Sequence, residues 1–246
     1  MIGFTTVTFR NLNFEEIAEI AKKSSVRVLE AGTDVHAKGI GEAIAMAMVC
    51  QKNNIEIASL GSYFTIGKDD PKDFLSLCDI AEILNAKTIR VWLGNKSSGL
   101  YTPREVEKLR EDTVFIAREA GGRGLKIAFE FHKNTYNDDA GRTVAFINNC
   151  GMDNIKTYWQ PFYQGKKKDY YNLKTLMPYL ENVHIFYWSR FGYRYLLKRG
   201  NIYLNVFFDL LKQNNFRGNI YIEFVKGNKV ENYYKDTEYL GNRMMR

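Results

Sequence analysis

The strongest constraint on the fold of this chain is a regular alternation between short runs of β-branched or aromatic residues and longer amphipathic segments. Eight strand-like runs occur, and a helical pattern follows each of them. The runs are IGFTTVTF (2–9), VRVLEAG (26–32), IEIASLGSYF (55–64), TIRVWLG (88–94), LKIAFEFH (125–132), IKTYWQP (155–161), VHIFYW (183–188) and IYIEFV (220–225). Such an alternation is typical of parallel βα units.

The helical patterns carry terminal signals of their own. The clearest patterns are 13–24, 70–86 and 103–122, with Pro71 and Pro103 at first-turn positions. Eight βα units in 246 residues predict a single (β/α)₈ barrel, the TIM-barrel fold, over residues 1–246, because about 250 residues is typical of that fold.

A doubly wound, Rossmann-like sheet is the alternative architecture. It would place a GxGxxG motif after the first strand, and none occurs there. Gly39 and Gly41 in KGIGEA come nearest to that pattern, but the third glycine is missing. We find no linker-like segment and therefore predict no domain boundary.

Composition narrows the classes of function. The chain lacks a run of about 18 apolar residues, and MIGFTTVTFRN does not resemble a secretion signal, so we expect a cytoplasmic protein that does not bind membranes. The net charge of +7 permits a nucleic-acid partner but indicates more generally an anionic ligand. Cys50, Cys78 and Cys150 lack CxxC spacing, which argues against a disulfide framework and against a cysteine zinc site.

Polar residues interrupt the strand-like run KIAFEFH near its carboxyl end. In a barrel of this type the reacting groups lie at the carboxyl ends of the strands, and side chains alternate between the lumen and the helix layer. If Phe129 and Phe131 face the helices, Glu130 and His132 face the lumen. We expect both to lie at the barrel mouth.

The next three strands repeat this pattern. Alternation directs His184 inward between Val183 and Ile185, and it directs Gln160 inward after Trp159. In the last strand, Glu223 is predicted to point inward while Ile222 and Phe224 point outward. The sequence therefore predicts that four polar side chains meet at the mouth, namely Glu130, Gln160, His184 and Glu223.

Two carboxylates in an apolar barrel mouth need a compensating charge, because burying an unpaired charge is strongly unfavourable. One divalent metal ion would compensate both. Carboxylate, imidazole and amide donors suit Mn²⁺ or Mg²⁺, and Zn²⁺ is an alternative. Without a metal, each residue has an ordinary structural role: a glutamate paired with Lys226 or Arg90, a core histidine, or a glutamine bonded to the backbone.

Several of these motifs together resemble a known family. FEFH, YWQP, VHIFYW and IEFVK, with LEAGTDVH, ASLGSYF and IRVWLG, resemble the sugar phosphate isomerase/epimerase group of the xylose isomerase-like TIM barrels. The resemblance extends over nearly the whole chain. It implies that Glu130, His184 and Glu223 are metal ligands. The family has an aspartate on strand six and a histidine three residues later, where this chain has Gln160 and Tyr163. The neutral amide should weaken metal binding.

The resemblance also implies a reaction. A metal that chelates the carbonyl and the neighbouring hydroxyl of a ketose acidifies the intervening C–H and stabilises the enediolate. By resemblance, Glu130 and Glu223 are the catalytic acid/base residues. We therefore expect a metal-dependent isomerase or epimerase that acts on a small sugar or sugar phosphate.

Further polar and aromatic residues are candidates for substrate binding. They are Glu30, His36, Arg90, Trp92, His132 and Lys226. Arg190 and Arg194, in the long segment after strand seven, are candidate phosphate contacts. The 16 tyrosines are concentrated late in the chain, where they could form a sugar-stacking wall or a subunit contact in a homo-oligomer.

Two other functions remain open at this point, and a third is disfavoured. A dehydratase of the same superfamily would use the same metal. A non-catalytic sugar-binding barrel would explain Gln160. A DNA-repair endonuclease shares the fold, but its trinuclear zinc site needs many histidines and this chain has three. We therefore expect no nucleic-acid partner.

Overall fold

The computed structural model describes residues 1–189 and 191–244, and its centre is a closed barrel of eight parallel strands. The predicted (β/α)₈ fold is confirmed. The barrel strands are β1 (Ile2–Thr5), β2 (Val28–Gly32), β3 (Glu56–Ile66), β4 (Thr88–Leu93), β5 (Lys126–Phe129), β6 (Ile155–Trp159), β7 (Leu180–Ile185) and β10 (Asn219–Ile222). Each pairs with its neighbours in chain order, and β10 closes the barrel against β1. A hairpin of β8 (Tyr187–Trp188) and β9 (Arg194–Tyr195) lies between β7 and β10.

Helices surround the barrel. They are α1 (Phe14–Lys23), α2 (Ile40–Asn53), α3 (Phe74–Ile83), α4 (Pro103–Gly122), α5 (Ala140–Cys150), α6 (Lys166–Leu176), α7 (Asn201–Gln213) and α8 (Val230–Met244). Capping residues set the first residues of α1 and α4, two helices that the sequence predicted clearly. Asn13 forms a capping box with Glu16, and Thr102 forms one with Glu105. Among the helices of the described residues, none combines the length and the apolar character needed to cross a bilayer.

Several predicted strands end earlier than their apolar runs. The first run leaves the sheet after Thr5 and continues as the 3₁₀ helix Thr6–Phe9, while β5 and β10 end at Phe129 and Ile222. Glu130 and Glu223 nevertheless still donate their backbone N–H groups to the neighbouring strands, over 3.0 Å in each case. These hydrogen bonds fix the backbone of both glutamates at the rim of the barrel.

Aromatic side chains fill the lumen below the mouth. Most of the core lies between the barrel and the helices, while a smaller cluster inside the lumen contains the buried Tyr158 and Tyr221. The amide of Asn182 donates to the Tyr158 hydroxyl over 2.8 Å, and the hydroxyl groups of Ser59 and Tyr221 are hydrogen-bonded to each other over 3.1 Å. The tyrosines thus form a hydrogen-bonded floor beneath the mouth.

A buried carboxyl group links α8 to the segment that returns from the hairpin. Asp236 is 2% exposed, and its Oδ1 accepts the Leu197 N–H over 2.7 Å. Burial raises the pKa of Asp236 to about 7, although that hydrogen bond acts in the opposite direction.

This group predicts a pH-dependent stability. The folded state holds the Asp236 proton more tightly than the unfolded chain, so the free energy of unfolding should fall as the pH rises from 3.8 to about 7. Asp236→Asn keeps the acceptor oxygen and removes the titration. Urea unfolding at about pH 5 and about pH 8 should show that the variant is more stable than the wild type at the higher pH, by about 1–3 kcal/mol. The same pH dependence in both proteins would contradict the assignment.

Candidate functional site

Four barrel strands bring their predicted polar residues together at the mouth. Glu130, Gln160, His184 and Glu223 are each at most 6% exposed. His184 Nδ1 lies 3.5 Å from Glu223 Oε2 and 3.9 Å from Glu130 Oε1. The Gln160 amide donates to Glu130 Oε1 over 3.4 Å. The predicted convergence is therefore present in the structure.

The ring of His184 is fixed from below. Its Nε2–H donates to Glu30 Oε1 over 3.0 Å, and Tyr158 packs edge-on against it with ring centroids 5.1 Å apart. Whenever the ring is neutral with its proton on Nε2, Nδ1 carries a lone pair. Neither this atom nor Glu223 Oε2 has a hydrogen-bond partner within the described residues, and both are buried. Two electron-rich buried atoms that face each other need a proton or a cation between them.

Glu30 lies beneath the mouth rather than on its wall. It is 1% exposed, its Oε2 accepts the Ser59 hydroxyl over 3.2 Å, and its Oε1 lies 3.4 Å from Arg90 Nε. Burial alone would raise the pKa of Glu30, but His184 and Arg90 more than offset it and lower the pKa to about 2. Glu30 is therefore an ionised anchor for His184.

Arg90 joins the two levels of the site. Its guanidinium group pairs with Glu30 below and makes a close ion pair with Glu130 above. The Trp92 indole N–H also donates to Glu130 Oε2, over 2.7 Å. Gly61 was not predicted to take part, yet a Cβ at this position would lie 2.9 Å from both Arg90 Nη2 and Glu30 Oε1. Gly61 leaves the room that this ion pair occupies.

A cavity of about 360 Å³ opens above these groups, within the size range of small-molecule sites. Its walls are mainly aromatic. The rings are those of Tyr63, Trp92, Phe162, Tyr163, Phe186, Trp188 and Phe224. We call it the mouth cavity. Glu130, Gln160 and Glu223 lie on its wall, as do Arg90 and Lys133. Most of the aromatic residues were not predicted as site residues because their runs read equally well as core.

His132 also lines the mouth cavity, as predicted. Its ring stacks on Trp92 with centroids 4.9 Å apart, and its Nδ1–H donates to the Lys133 carbonyl over 2.7 Å. Burial lowers the pKa of His132. The neutral ring therefore keeps an unprotonated Nε2.

Phe224 contradicts the predicted alternation. It was expected to face the helices, but it lines the mouth cavity and packs on Phe186 and Trp188, with ring centroids 5.7 Å and 5.2 Å away. The reason is a left-handed backbone, with φ of 56°. One such residue breaks the period of two and turns the ring inward.

The remaining candidates lie elsewhere. His36 is bound through both ring nitrogens, to Thr6 Oγ1 over 3.0 Å and to the Leu12 carbonyl over 2.9 Å, and it does not line the mouth cavity. Lys226 is exposed and is likewise absent from the cavity wall. Arg194 is half-buried beside Phe224. Arg190 lies outside the described residues.

The side chains at the mouth are of the types that bind a divalent metal, but they are not arranged around a common point. Within residues 1–189 and 191–244, no three His, Cys, Asp or Glu side chains already surround a common point as ligands, and Glu130 faces Arg90 and Trp92. His184 Nδ1 and Glu223 Oε2 are nevertheless two potential metal-ligand atoms that lie 3.5 Å apart and have no hydrogen-bond partner within the described residues. An imidazole whose other nitrogen is held by a carboxylate is a common arrangement around metals. The donor types therefore fit a divalent ion.

Comparison with known proteins places the chain in one family. The model of the family described as xylose isomerase-like TIM barrel matches residues 20–242. A comparison with curated proteins gives no significant match.

Many solved structures share the fold. One is the probable 3-DHS dehydratase AsbF of Bacillus anthracis, with a TM-score of 0.82, 15% identity, and coverage of 98% of this chain and 99% of that one. The D-psicose 3-epimerase of Clostridium cellulolyticum H10, solved with D-tagatose, has a TM-score of 0.77, 13% identity and coverage of 99% and 98%. A xylose isomerase-like TIM barrel protein of Mycobacterium smegmatis in complex with magnesium has a TM-score of 0.72, 14% identity and coverage of 99% and 96%. At these identities the likeness shows the fold alone.

The role of Arg90 can be tested by removing its charge. Arg90→Gln leaves Glu30 and Glu130 without their shared cation, and we expect the free energy of unfolding to fall by about 3–5 kcal/mol in the absence of divalent ions. Arg110→Gln is the matched control, because it breaks a pair with the exposed Glu107 on α4 that solvent screens, and it should leave the free energy of unfolding nearly unchanged. Urea unfolding measures both. Equal losses in the two variants would contradict the central role of Arg90.

Proposed function

Because the chain belongs to the xylose isomerase-like TIM-barrel family, we propose that it is a metal-dependent isomerase or epimerase. The substrate is a small sugar or sugar phosphate, and the reaction moves a proton next to a carbonyl through an enediolate. One observation carries this proposal: Glu130 and Glu223 both lie on the wall of the mouth cavity, and each has an oxygen within 3.9 Å of His184 Nδ1. Two carboxylates around one imidazole suit proton removal and return.

The proposed ligands of the metal are Glu130, Gln160, His184 Nδ1 and Glu223. Mn²⁺, Mg²⁺ or Zn²⁺, when bound, would polarise the substrate carbonyl and acidify the neighbouring C–H. Support comes from the two unpartnered buried atoms of His184 and Glu223 and from the anchor that Glu30 provides to the imidazole. Gln160 contributes a neutral oxygen, so the ligand set carries one negative charge less than a set with aspartate at this position.

The two carboxylates differ in their surroundings. Burial raises the pKa of Glu223, and His184 and Arg90 only partly oppose this. A raised pKa lies closer to neutral pH, and a carboxyl group with such a pKa can both hold and release a proton. Glu130 is oriented by the Trp92 indole and by Arg90, so that its carboxylate faces the cavity. We assign the proton transfers to this pair.

The aromatic walls complete the site. Rings such as those of Trp92 and Trp188 offer faces on which the C–H groups of a sugar can pack, and they exclude water. Exclusion of water protects an enediolate from side reactions.

A dehydratase is the second candidate, and His132 is the observation that favours it. Its neutral Nε2 is a third group on the cavity wall that could take a proton, apart from the two carboxylates. A dehydratase would remove the proton beside the carbonyl and expel a neighbouring hydroxyl as water. A barrel that binds sugars without turnover is the remaining alternative, because Gln160 reduces the charge of the proposed ligand set.

Isosteric variants test the proton-transfer pair. Glu130→Gln and Glu223→Gln keep the side-chain shape but cannot take up a proton, so each should slow exchange by about 10²–10⁴-fold. The assay follows deuterium incorporation beside the carbonyl when ketoses and ketose phosphates are incubated with the protein and Mn²⁺ in D₂O. Glu107→Gln, on the exposed face of α4, is the control.

The outcomes separate the candidates. Near-normal exchange in either variant would refute its assignment. Net loss of water from a substrate would identify the dehydratase. Absence of exchange by the wild type with all sugars tested would favour the binding barrel.

The metal proposal is tested at Gln160. Gln160→Asp adds a negative charge to the ligand set and should tighten Mn²⁺ binding by about tenfold, or about 1.4 kcal/mol. Calorimetric titration measures the affinity, and elemental analysis after dialysis gives the number of ions per chain. Glu130→Ala should lose the ion. An unchanged affinity in Gln160→Asp would mean that Gln160 does not contact the metal.

A further inference from the structure

A second cavity adjoins the mouth cavity. It measures about 380 Å³ and lies between the segment after β1 (residues 7–12), Arg194 of β9 and the segment 224–230 after β10. Phe224 lines both cavities. The ring of Phe224 is therefore the partition between them, and we call the second space the outer cavity.

The two cavities differ in charge. Glu130 and Glu223 lie on the wall of the mouth cavity, whereas the described lining of the outer cavity contains Arg10 and Arg194 and no acidic side chain. Arg10 is already engaged, because it pairs with Asp34 and donates to the Tyr63 hydroxyl over 2.7 Å. The outer cavity therefore holds an excess of positive charge.

Arg194 is the cation of the outer cavity that remains available. Within the described residues no carboxylate lies within ion-pair distance of its guanidinium group, which stacks 4.8 Å from the Phe224 ring and 5.6 Å from the Trp188 ring. It also donates to the Asn228 side chain. The group is thus held in place by two aromatic rings and one amide, and its charge acts on the carboxyl group of Glu223 only from beyond ion-pair distance.

The backbone supports this geometry. A left-handed φ of 56° is unfavourable for an aromatic residue, yet Phe224 adopts it directly after Glu223. The turn brings the ring between the cavities and under Arg194. In barrels of this type, the segments after the seventh and eighth strands commonly form anion sites. Arg194 and Asn228 come from those two segments here.

We propose that the substrate carries a phosphate or carboxylate group at the end remote from its reacting carbonyl, and that Arg194 binds this group in the outer cavity. The reacting carbon then lies beside Glu130 and Glu223 in the mouth cavity, and the chain of the sugar passes the edge of Phe224. A guanidinium group suits either anion because it donates two parallel hydrogen bonds. The identity of the reacting end rests on the proposed function, whereas the anion site itself does not.

Direct binding of inorganic phosphate tests the anion site without any turnover. We expect Arg194→Gln to bind phosphate at least about tenfold more weakly than the wild type, as measured by calorimetry or by ³¹P NMR. Arg217→Gln is the matched control, since Arg217 is exposed and precedes β10 at the opposite end of the barrel. Equal phosphate affinity in all three proteins would overturn the proposal. Arg194→Lys should restore part of the affinity.

Turnover tests whether the anion site belongs to the substrate. D-fructose 6-phosphate, D-fructose and a ketose with a terminal carboxylate distinguish phosphate, neutral and carboxylate substrates. Arg194→Gln should raise the KM for the preferred anionic sugar about tenfold or more, and the KM for D-fructose should stay the same. An equal loss for charged and neutral sugars would indicate a merely structural Arg194 and overturn the proposal. Phosphate binding that depends on Arg194 in a protein with no proton exchange would refute the proposed function and leave the anion site standing.

Discussion

The mouth of this barrel depends on one compensation of charge. Three carboxyl groups, from Glu30, Glu130 and Glu223, and the imidazole of His184 are buried together, and Arg90 is the cation that contacts two of those carboxylates. Burying charges that are not paired in this way would be strongly unfavourable. The absence of a side chain at Gly61 leaves room for Arg90 and Glu30, and the ionised Glu30 in turn fixes the ring of His184.

Glu130 is the residue for which Arg90 and the proposed metal ion would compete. Arg90 and Trp92 already satisfy one of its oxygens, and the proposed metal would use the same carboxylate. The neutral Gln160 makes this competition more even, because a ligand set with fewer charges attracts a divalent ion less strongly. If the proposed metal binds, the residue at position 160 on the sixth barrel strand would therefore set the balance between the guanidinium ion and the metal ion at Glu130.

The sequence predicted the parts of the site that depend on regular alternation. Glu130, Gln160, His184, Glu223, Arg90 and Trp92 all point inward, because a strand that pairs regularly has a side-chain period of two. Phe224 was wrongly predicted because one left-handed residue breaks that period, and no local signal marks it. The contacts of Glu30 and the role of Gly61 depend on neighbours that are distant in sequence, so alternation could place these residues but could not assign their partners.

The small hairpin between β7 and β10 has a wider consequence. Trp188 and Arg194 are directly paired across β8 and β9, so one register places both an aromatic wall of the mouth cavity and the cation of the outer cavity. The carboxylates and the imidazole, in contrast, belong to the barrel strands or to the residues directly after them. Substitutions in the hairpin could therefore change which molecules are accepted while the reacting groups stay in place. This division would allow specificity to diverge among relatives without rebuilding the chemistry.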